Sequence, residues 1–292
     1  MVGADARIEP MEFPLPLARE VECNVLAALA EDIGGGDLTA LLAPAGRSAL
    51  GVVTCRENAV LCGSAWFDGC IQRLDPGAQV RWLLQDGARI ENGQAVCEIS
   101  ADTRALLTAE RSALNFLQLL SGIATQTRRY VDAVAGTGAR IVDTRKTLPG
   151  LRLAQKYAVR CGGGTNHRLG LYDGILIKEN HIIAAGGVTA AFRQAQALAS
   201  GGVFIQVEVE TLEELAEALD AGARMILLDN MDLAQMKLAV GLTAGRAELE
   251  ASGGVRLETV RAIAETGVDR ISIGTLTKDV RATDYSLRHS EG

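Results

Sequence analysis

The chain of 292 residues carries 36 acidic against 29 basic side chains, a formal net charge of −7. With only 4% aromatic residues it offers neither the basic stripe nor the stacking platforms of a nucleic-acid surface, so small-molecule partners are expected. At 48% hydrophobic and 22% charged it can bury a sizeable core, yet no apolar run approaches the roughly 18 residues of a membrane span.

The opening "MVGADARIEPMEFPLPLARE" has early acids and no continuous apolar stretch, so it does not read as a secretory signal and a cytoplasmic location is expected. Cys23, Cys55, Cys62, Cys70, Cys97 and Cys161 match no zinc-ligand or redox spacing and read as reduced, mostly buried thiols. From Val52 to Ile99, short β-branched stretches alternate with turn signals, and Asn92-Gly93 is a hairpin cue. A small antiparallel sheet is expected there. "DGARIENGQAVCEI" is similar to lipoyl and biotinyl carrier domains, but the Lys those domains modify at the hairpin tip is missing. Residues 104–120 repeat leucine at helical spacing, and Ser121-Gly122 is expected to interrupt the helix and mark a domain boundary.

The second half has a different rhythm. Strand-like runs occur at 140–144, 174–178, 204–210, 225–229, 248–252 and 270–274, and the steps from Glu208 to Asp229, Ser252 and Gly274 are 21, 23 and 22 residues. Each step holds an amphipathic helix such as "TLEELAEAL", so the period is one strand plus one helix. Repeated βα units cross over right-handedly into a parallel barrel or an open doubly wound sheet. A barrel is favoured, because nearly every run ends in a polar residue, as a carboxyl-end rim does.

The strand exits are Asp143 to Lys146, Lys178, Glu208, Asp229, Ser252 to Gly254, and Gly274-Thr275. Between Arg140 and His181 there are eight Lys or Arg against three acids, which implies a cationic pocket in an acidic protein. Arg152, Lys156 and Arg160, spaced four apart, read more simply as solvated helix charges. Arg145, Lys146 and Lys178 sit at strand ends, where an arginine fork suits a planar carboxylate or phosphate and a lysine acts as a point charge. Glycines 162 to 164 would let backbone N–H groups approach an anion and turn His167 and Arg168 inward, a plain flexible loop being the alternative. His181 reads as a satisfied core histidine or a supporting one. The Gly-containing loops "EASGGVRLETV" and "SIGTLTKDV" after the last strands suit a phosphorylated sugar. Glu208 and Asp229 suggest Mg²⁺, with a structural ion pair to nearby lysines as the competing reading.

"TAERSALNFLQLLSGIAT", "DTRKTLPGLR", "KYAVRCGGGTNHRLGLYDGILIKENH", "VEVETLEEL", "LLDNM", "LEASGGV" and "GVDRISIGTLTKDV" together resemble the quinolinate phosphoribosyltransferase family over nearly the whole chain. The resemblance implies an α/β protein: an N-terminal α/β sandwich over residues 1–121, completed by the tail 281–292, and an incomplete α/β barrel over 122–280. It implies transfer of phosphoribose from phosphoribosyl pyrophosphate to quinolinate with decarboxylation, in NAD biosynthesis, by a homodimer whose active sites are shared. The family's basic substrate-binding residues fall on Arg145, Lys146, His167, Arg168 and Lys178, and its intersubunit arginine on Arg111. Its Mg²⁺ and ribose-side acids fall on Glu208 and Asp229, which join Lys146 and Lys178 at the reacting centre. Its phosphate loops fall on Ser252, Gly253, Gly254 and Gly274. The rival readings are a paralogue with another acceptor or a role in molybdenum uptake, and a phosphate-sugar sensor without turnover.

Overall fold

The computed structural model describes residues 17–291, so most of the stretch read as no secretory signal lies outside the described residues. Helix α1 (Leu17–Ile33) leads into β1 (Ser48–Cys55), β2 (Ala59–Val60), α2 (Ser64–Leu74), β3 (Gln79–Trp82), β4 (Arg89–Ile90) and β5 (Ala95–Asp102). Along β1 exposed and buried residues alternate, because period-two side chains give one face to a core and one to water. The antiparallel sheet has the order β12-β1-β5-β3, where β12 (Tyr285–Glu291) is the last strand of the chain. The turn at Asn92-Gly93 forms, with Gly93 at φ 83°, but the strand before it pairs elsewhere: β4 joins β2 in a separate two-stranded sheet. The expected simple hairpin is therefore corrected.

Helix α3 (Thr103–Ala133) corrects a second expectation. Its 31 residues run straight through Ser121-Gly122, a rod of about 46 Å at 1.5 Å per residue. The two small residues serve packing. A Cβ on Gly122 would lie 2.2 Å from the carbonyl oxygen of Arg281. Ser121 Oγ meets the N–H and carbonyl of Cys62 at 3.0 and 3.1 Å and accepts the Tyr285 hydroxyl at 3.0 Å. The first half of α3 lies in the core of the antiparallel sheet, while Tyr130 lies in the core of the second sheet.

All six runs of the second half form strands: β6 (Arg140–Val142), β7 (Gly174–Ile177), β8 (Phe204–Val209), β9 (Met225–Asp229), β10 (Glu248–Ser252) and β11 (Arg270–Ser272). They make one parallel sheet in the order β6-β11-β10-β9-β8-β7, so the first strand pairs with the last and the ring stays open between β6 and β7. Helices α4 (Arg152–Cys161), α5 (Glu179–Ala185), α6 (Val188–Leu198), α7 (Leu212–Asp220), α8 (Leu233–Thr243), α9 (Leu257–Ala264) and α10 (Thr275–Lys278) connect the strands. This is the incomplete α/β barrel. Helix α4 departs from the ring: Ala154, Ala158, Val159 and Cys161 pack into the core of the antiparallel sheet.

Five cysteines are buried and Cys23 is exposed, none in a disulfide. No helix of the described residues is long and apolar enough to cross a membrane.

Candidate active site

The carboxyl ends of the parallel strands converge, and the open edge of β6 decides how the first loop is built. Helix α4 stops on its three glycines: Gly164 N–H donates to Val159 O and Gly163 N–H to Arg160 O, with Gly163 at φ 87°, the arrangement in which glycine ends a helix. The expected anion cradle is overturned here, since the N–H groups of Gly162, Gly163 and Gly164 are all taken by α4 carbonyls. The glycines also admit α3, because a Cβ on Gly162 would lie 2.5 Å from Thr127 and one on Gly164 2.8 Å from the same side chain. Thr165 then fills the opening of the ring, its N–H on Ile141 O and its carbonyl accepting Asp143 N–H. The glycine stretch thus delivers Asn166, His167 and Arg168 to the mouth, by a different route from the one expected.

Asp143 anchors this delivered segment. It is fully buried and accepts from Lys156 Nζ, from Asn166 Nδ2 at 2.6 Å and from the His167 N–H at 2.8 Å. Burial pushes the Asp143 carboxyl up and the Lys156 amine down, and their pairing opposes both shifts. Lys156 is therefore no solvated helix charge: it is 0% exposed. Arg152 is likewise structural, donating to Thr147 Oγ1 at 3.1 Å and to the carbonyls of Leu169 and Arg145. The even spacing that suggested a wet face conceals the side of α4 that holds the mouth.

Arg145 and Arg168 are the cations this frame presents. Arg168 is 9% exposed and donates Nη1 to Gly174 O at 3.0 Å. Burial and then the charge of Arg145 depress its pKa, so the two guanidiniums lie within each other's field. Arg145 Nε is buried and has no hydrogen-bond partner, and among the described residues neither arginine forms an ion pair. The Asp173 carboxylate opposes the Arg168 shift without forming an ion pair, and two adjoining forks left unpaired suit a planar dianion.

Across the mouth, Lys178 Nζ pairs with Glu208 at 2.8 Å, the carboxylate being 14% exposed. Burial and then Glu208 push the Asp229 carboxyl up, while Lys178 and Lys146 pull it down, so all four side chains share one field. Gly274 follows β11, and a Cβ there would lie 2.9 Å from Lys146 Cδ, so glycine is what lets the lysine stem pass. Thr277 Oγ1 donates to Lys146 O at 2.8 Å. Ser252 ends β10, and Gly253 and Gly254 have φ of 102° and 59°. Gly253 must lack a Cβ because Asn230 Oδ1 would be 2.2 Å away. Asn230, itself at φ 54°, donates Nδ2 to Asp229 at 2.9 Å.

Two expected residues stand apart. His181 is exposed, and its Nδ1 accepts the Lys178 N–H at 3.0 Å at the start of α5, so it is not a core histidine. Arg111 is exposed on α3 and makes no hydrogen bond or ion pair among the described residues. The structure does not bring it to the mouth of its own chain through any such contact. Both ring nitrogens of His167 are occupied by protein partners, which the resemblance did not imply. Gln206, Glu250, Arg270, Asn166 and Asn230 join the site without having stood out in the sequence; the visible signal was a polar residue inside an apolar strand run, as in "FIQVEVE" and "ELEAS".

The model of "Quinolinate phosphoribosyl transferase, N-terminal domain" matches residues 37–121, and that of the C-terminal domain matches residues 123–288. A carboxylating nicotinate-nucleotide pyrophosphorylase of Mycobacterium leprae is 46% identical over 90% of this chain and 95% of its own. A chloroplastic enzyme of the same name from rice is 39% identical over 98% of this chain and 82% of its own. The solved structure of the nicotinate-nucleotide pyrophosphorylase from Francisella tularensis aligns with a TM-score of 0.91 at 43% identity, covering 93% of this chain and 96% of that one. The chain belongs to the quinolinate phosphoribosyltransferase family.

Proposed function

We propose that this protein transfers phosphoribose from phosphoribosyl pyrophosphate to quinolinate with loss of CO₂, yielding nicotinate mononucleotide and pyrophosphate for NAD synthesis. One observation carries the site reading: Arg145 and Arg168 lie together at the mouth of a parallel barrel, neither in an ion pair among the described residues, with only Asp173 acting on Arg168 from further off. A pyridine with two adjacent carboxylates supplies the missing charge. Lys146, Lys178, Glu208 and Asp229 take the ribose and pyrophosphate, and the loops at Ser252, Gly253, Gly254 and Gly274 take the 5′-phosphate. The ring nitrogen attacks the anomeric carbon with its own lone pair as the bond to pyrophosphate breaks, so no general base is required. The bond from C2 to its carboxylate then breaks, CO₂ leaves, and the electron pair left at C2, stabilised by the adjacent cationic nitrogen, takes a proton from water to form the C2–H bond.

Glu208 and Asp229 fit a hard cation, since Glu208 raises the cost of the Asp229 charge. Mg²⁺ arriving with the pyrophosphate would be held there and would temper the charge of the leaving group.

The active unit is a homodimer. Leu38, Leu41, Leu42 and Leu107 are 83%, 61%, 86% and 40% exposed. They gather around the start of α3, where Arg104 Nε donates to Ala43 O and Thr108 Oγ1 to Asp37. Arg111 stands one turn beyond Leu107, so an apolar contact here would carry it to a second copy's mouth. The expected cytoplasmic location is kept in this reading, although the rice relative is named as chloroplastic.

The direct test incubates purified protein with quinolinate, phosphoribosyl pyrophosphate and Mg²⁺ and follows nicotinate mononucleotide and CO₂. Binding without either product would favour a sensor. For the shared site, Arg111→Ala and Lys146→Ala are each expected to be inactive and to regain activity when mixed. Absence of rescue with subunit exchange verified would count against it.

A further inference from the structure

His167 reaches the mouth with none of its polar atoms left over. Its N–H donates to Asp143 at 2.8 Å, its carbonyl accepts Lys156 Nζ at 3.0 Å, and the residue is 8% exposed. Nδ1 lies 2.7 Å from the backbone nitrogen of Arg168, and Nε2 lies 2.7 Å from Gln206 Oε1. Phe204 closes one flank of the ring, edge-on, with centroids 5.6 Å apart.

The partners dictate where the proton sits. A backbone N–H can only donate, so Nδ1 must accept and carries no hydrogen. On the other side, Gln206 Nε2 donates to Glu250 at 3.1 Å, and Arg270 Nε donates to the same carboxylate oxygen at 3.0 Å. A carboxylate can only accept, so the amide nitrogen faces Glu250 and the amide oxygen faces His167. Both neighbours then require a neutral imidazole protonated at Nε2. The charged groups around the ring act both ways: Glu250, with Oε1 3.9 Å from Nε2, favours a proton, while Arg270, paired with its other oxygen, and Lys156 oppose one. Burial also holds His167 below the usual histidine pKa.

We propose that Gln206 is a positioning residue for the acceptor pocket: it fixes His167 as the Nε2–H tautomer, which keeps the Arg168 N–H on Nδ1 and sets the Arg168 guanidinium beside Arg145. Gln206 lies two residues before Glu208 on β8, so it forms the layer of the ring interior directly below the mouth. The inference rests on the assignment of Arg168 to the quinolinate pocket.

Histidine ¹⁵N–¹H spectra of the full chain, with His167 identified by its loss in His167→Asn, are expected to show the neutral Nε2–H form at neutral pH. An imidazolium or an Nδ1–H form would overturn the proposal. Gln206→Met keeps the volume but accepts no hydrogen bond; its KM for quinolinate is expected to rise about tenfold, with kcat and the KM for phosphoribosyl pyrophosphate within twofold. Gln206→Glu keeps an acceptor toward His167 but replaces the donor toward Glu250, 3.1 Å away, with a second carboxylate, and is expected not to recover that loss. An unchanged quinolinate KM in Gln206→Met, counted on correctly folded protein, would overturn the positioning role. Arg168→Lys separates the two levels: if it leaves the quinolinate KM unchanged, the pocket assignment fails, whereas the tautomer result stands or falls alone.

Discussion

The two ends of the parallel sheet use the same residue types in opposite ways. At the amino ends Arg140 pairs with Glu248 at 2.7 Å and Arg270 with Glu250 at 3.0 Å, so each strand-borne arginine there has a carboxylate. At the carboxyl ends Arg145 and Arg168 form no ion pair among the described residues, and burial raises the cost of leaving them so. Charges that complete the protein are paired within it. Arg145 and Arg168 are held ready for a ligand without an ion pair, by backbone carbonyls and the buried frame around Asp143, whereas Lys178 at the same end keeps Glu208 at 2.8 Å.

The sharpest way to test that contrast is to remove one cation of each kind. Lys156→Met should lower unfolding stability by about 3–5 kcal/mol in urea titration, because it strands a buried Asp143 charge. Arg145→Ala should cost about 1.5–3 kcal/mol for each charge-assisted hydrogen bond lost to quinolinate. Its kcat/KM is expected to fall on the order of a hundredfold with unfolding stability held. Equal kcat/KM in that variant would erase the distinction between the ends. Gly122→Ala should lose about 1–3 kcal/mol by thermal unfolding, as overpacking does, since the methyl group meets the returning backbone at Arg281. A smaller effect concerns pH. The pKa of His167 is depressed, so its contribution is complete above the ordinary value of 6.5 and shrinks as acidification charges the unfolded chain first. Urea midpoints should therefore fall as pH drops through that value, and His167→Asn should flatten the fall. The least change is expected for Arg140→Ala, whose partner is about half exposed: less than about 1 kcal/mol of stability and no change in turnover.

The second half was legible because its chemistry repeats. A strand followed by a helix every 21 to 23 residues is enough to place Glu208, Asp229, Ser252 and Gly274 at strand ends. What stayed hidden depended on depth. Lys156 and Arg160 look alike in sequence, yet one is fully enclosed by Asp143 and the other faces partly outward. Glycine has the same ambiguity. Gly162 to Gly164 could free a backbone for an anion or stop a helix against a neighbour, and only the position of Thr127 on α3 decides between them. Ser121-Gly122 is ambiguous for the same reason, since a helix breaker and a contact point for a distant strand share one composition. The Gln206, Glu250 and Arg270 network left a trace as polar letters within apolar strands, but its partners lie 44 and 20 residues apart.

The pairing of β12 with β1 brings Glu291 opposite Ala49. A ribosome must therefore release the chain through Glu291 before the amino-terminal sheet can acquire its outer edge. Until then β1 has a bare flank able to recruit another nascent chain. Maturation of the sheet around β1 thus waits for β12, and deleting β12 should be felt first as aggregation during expression.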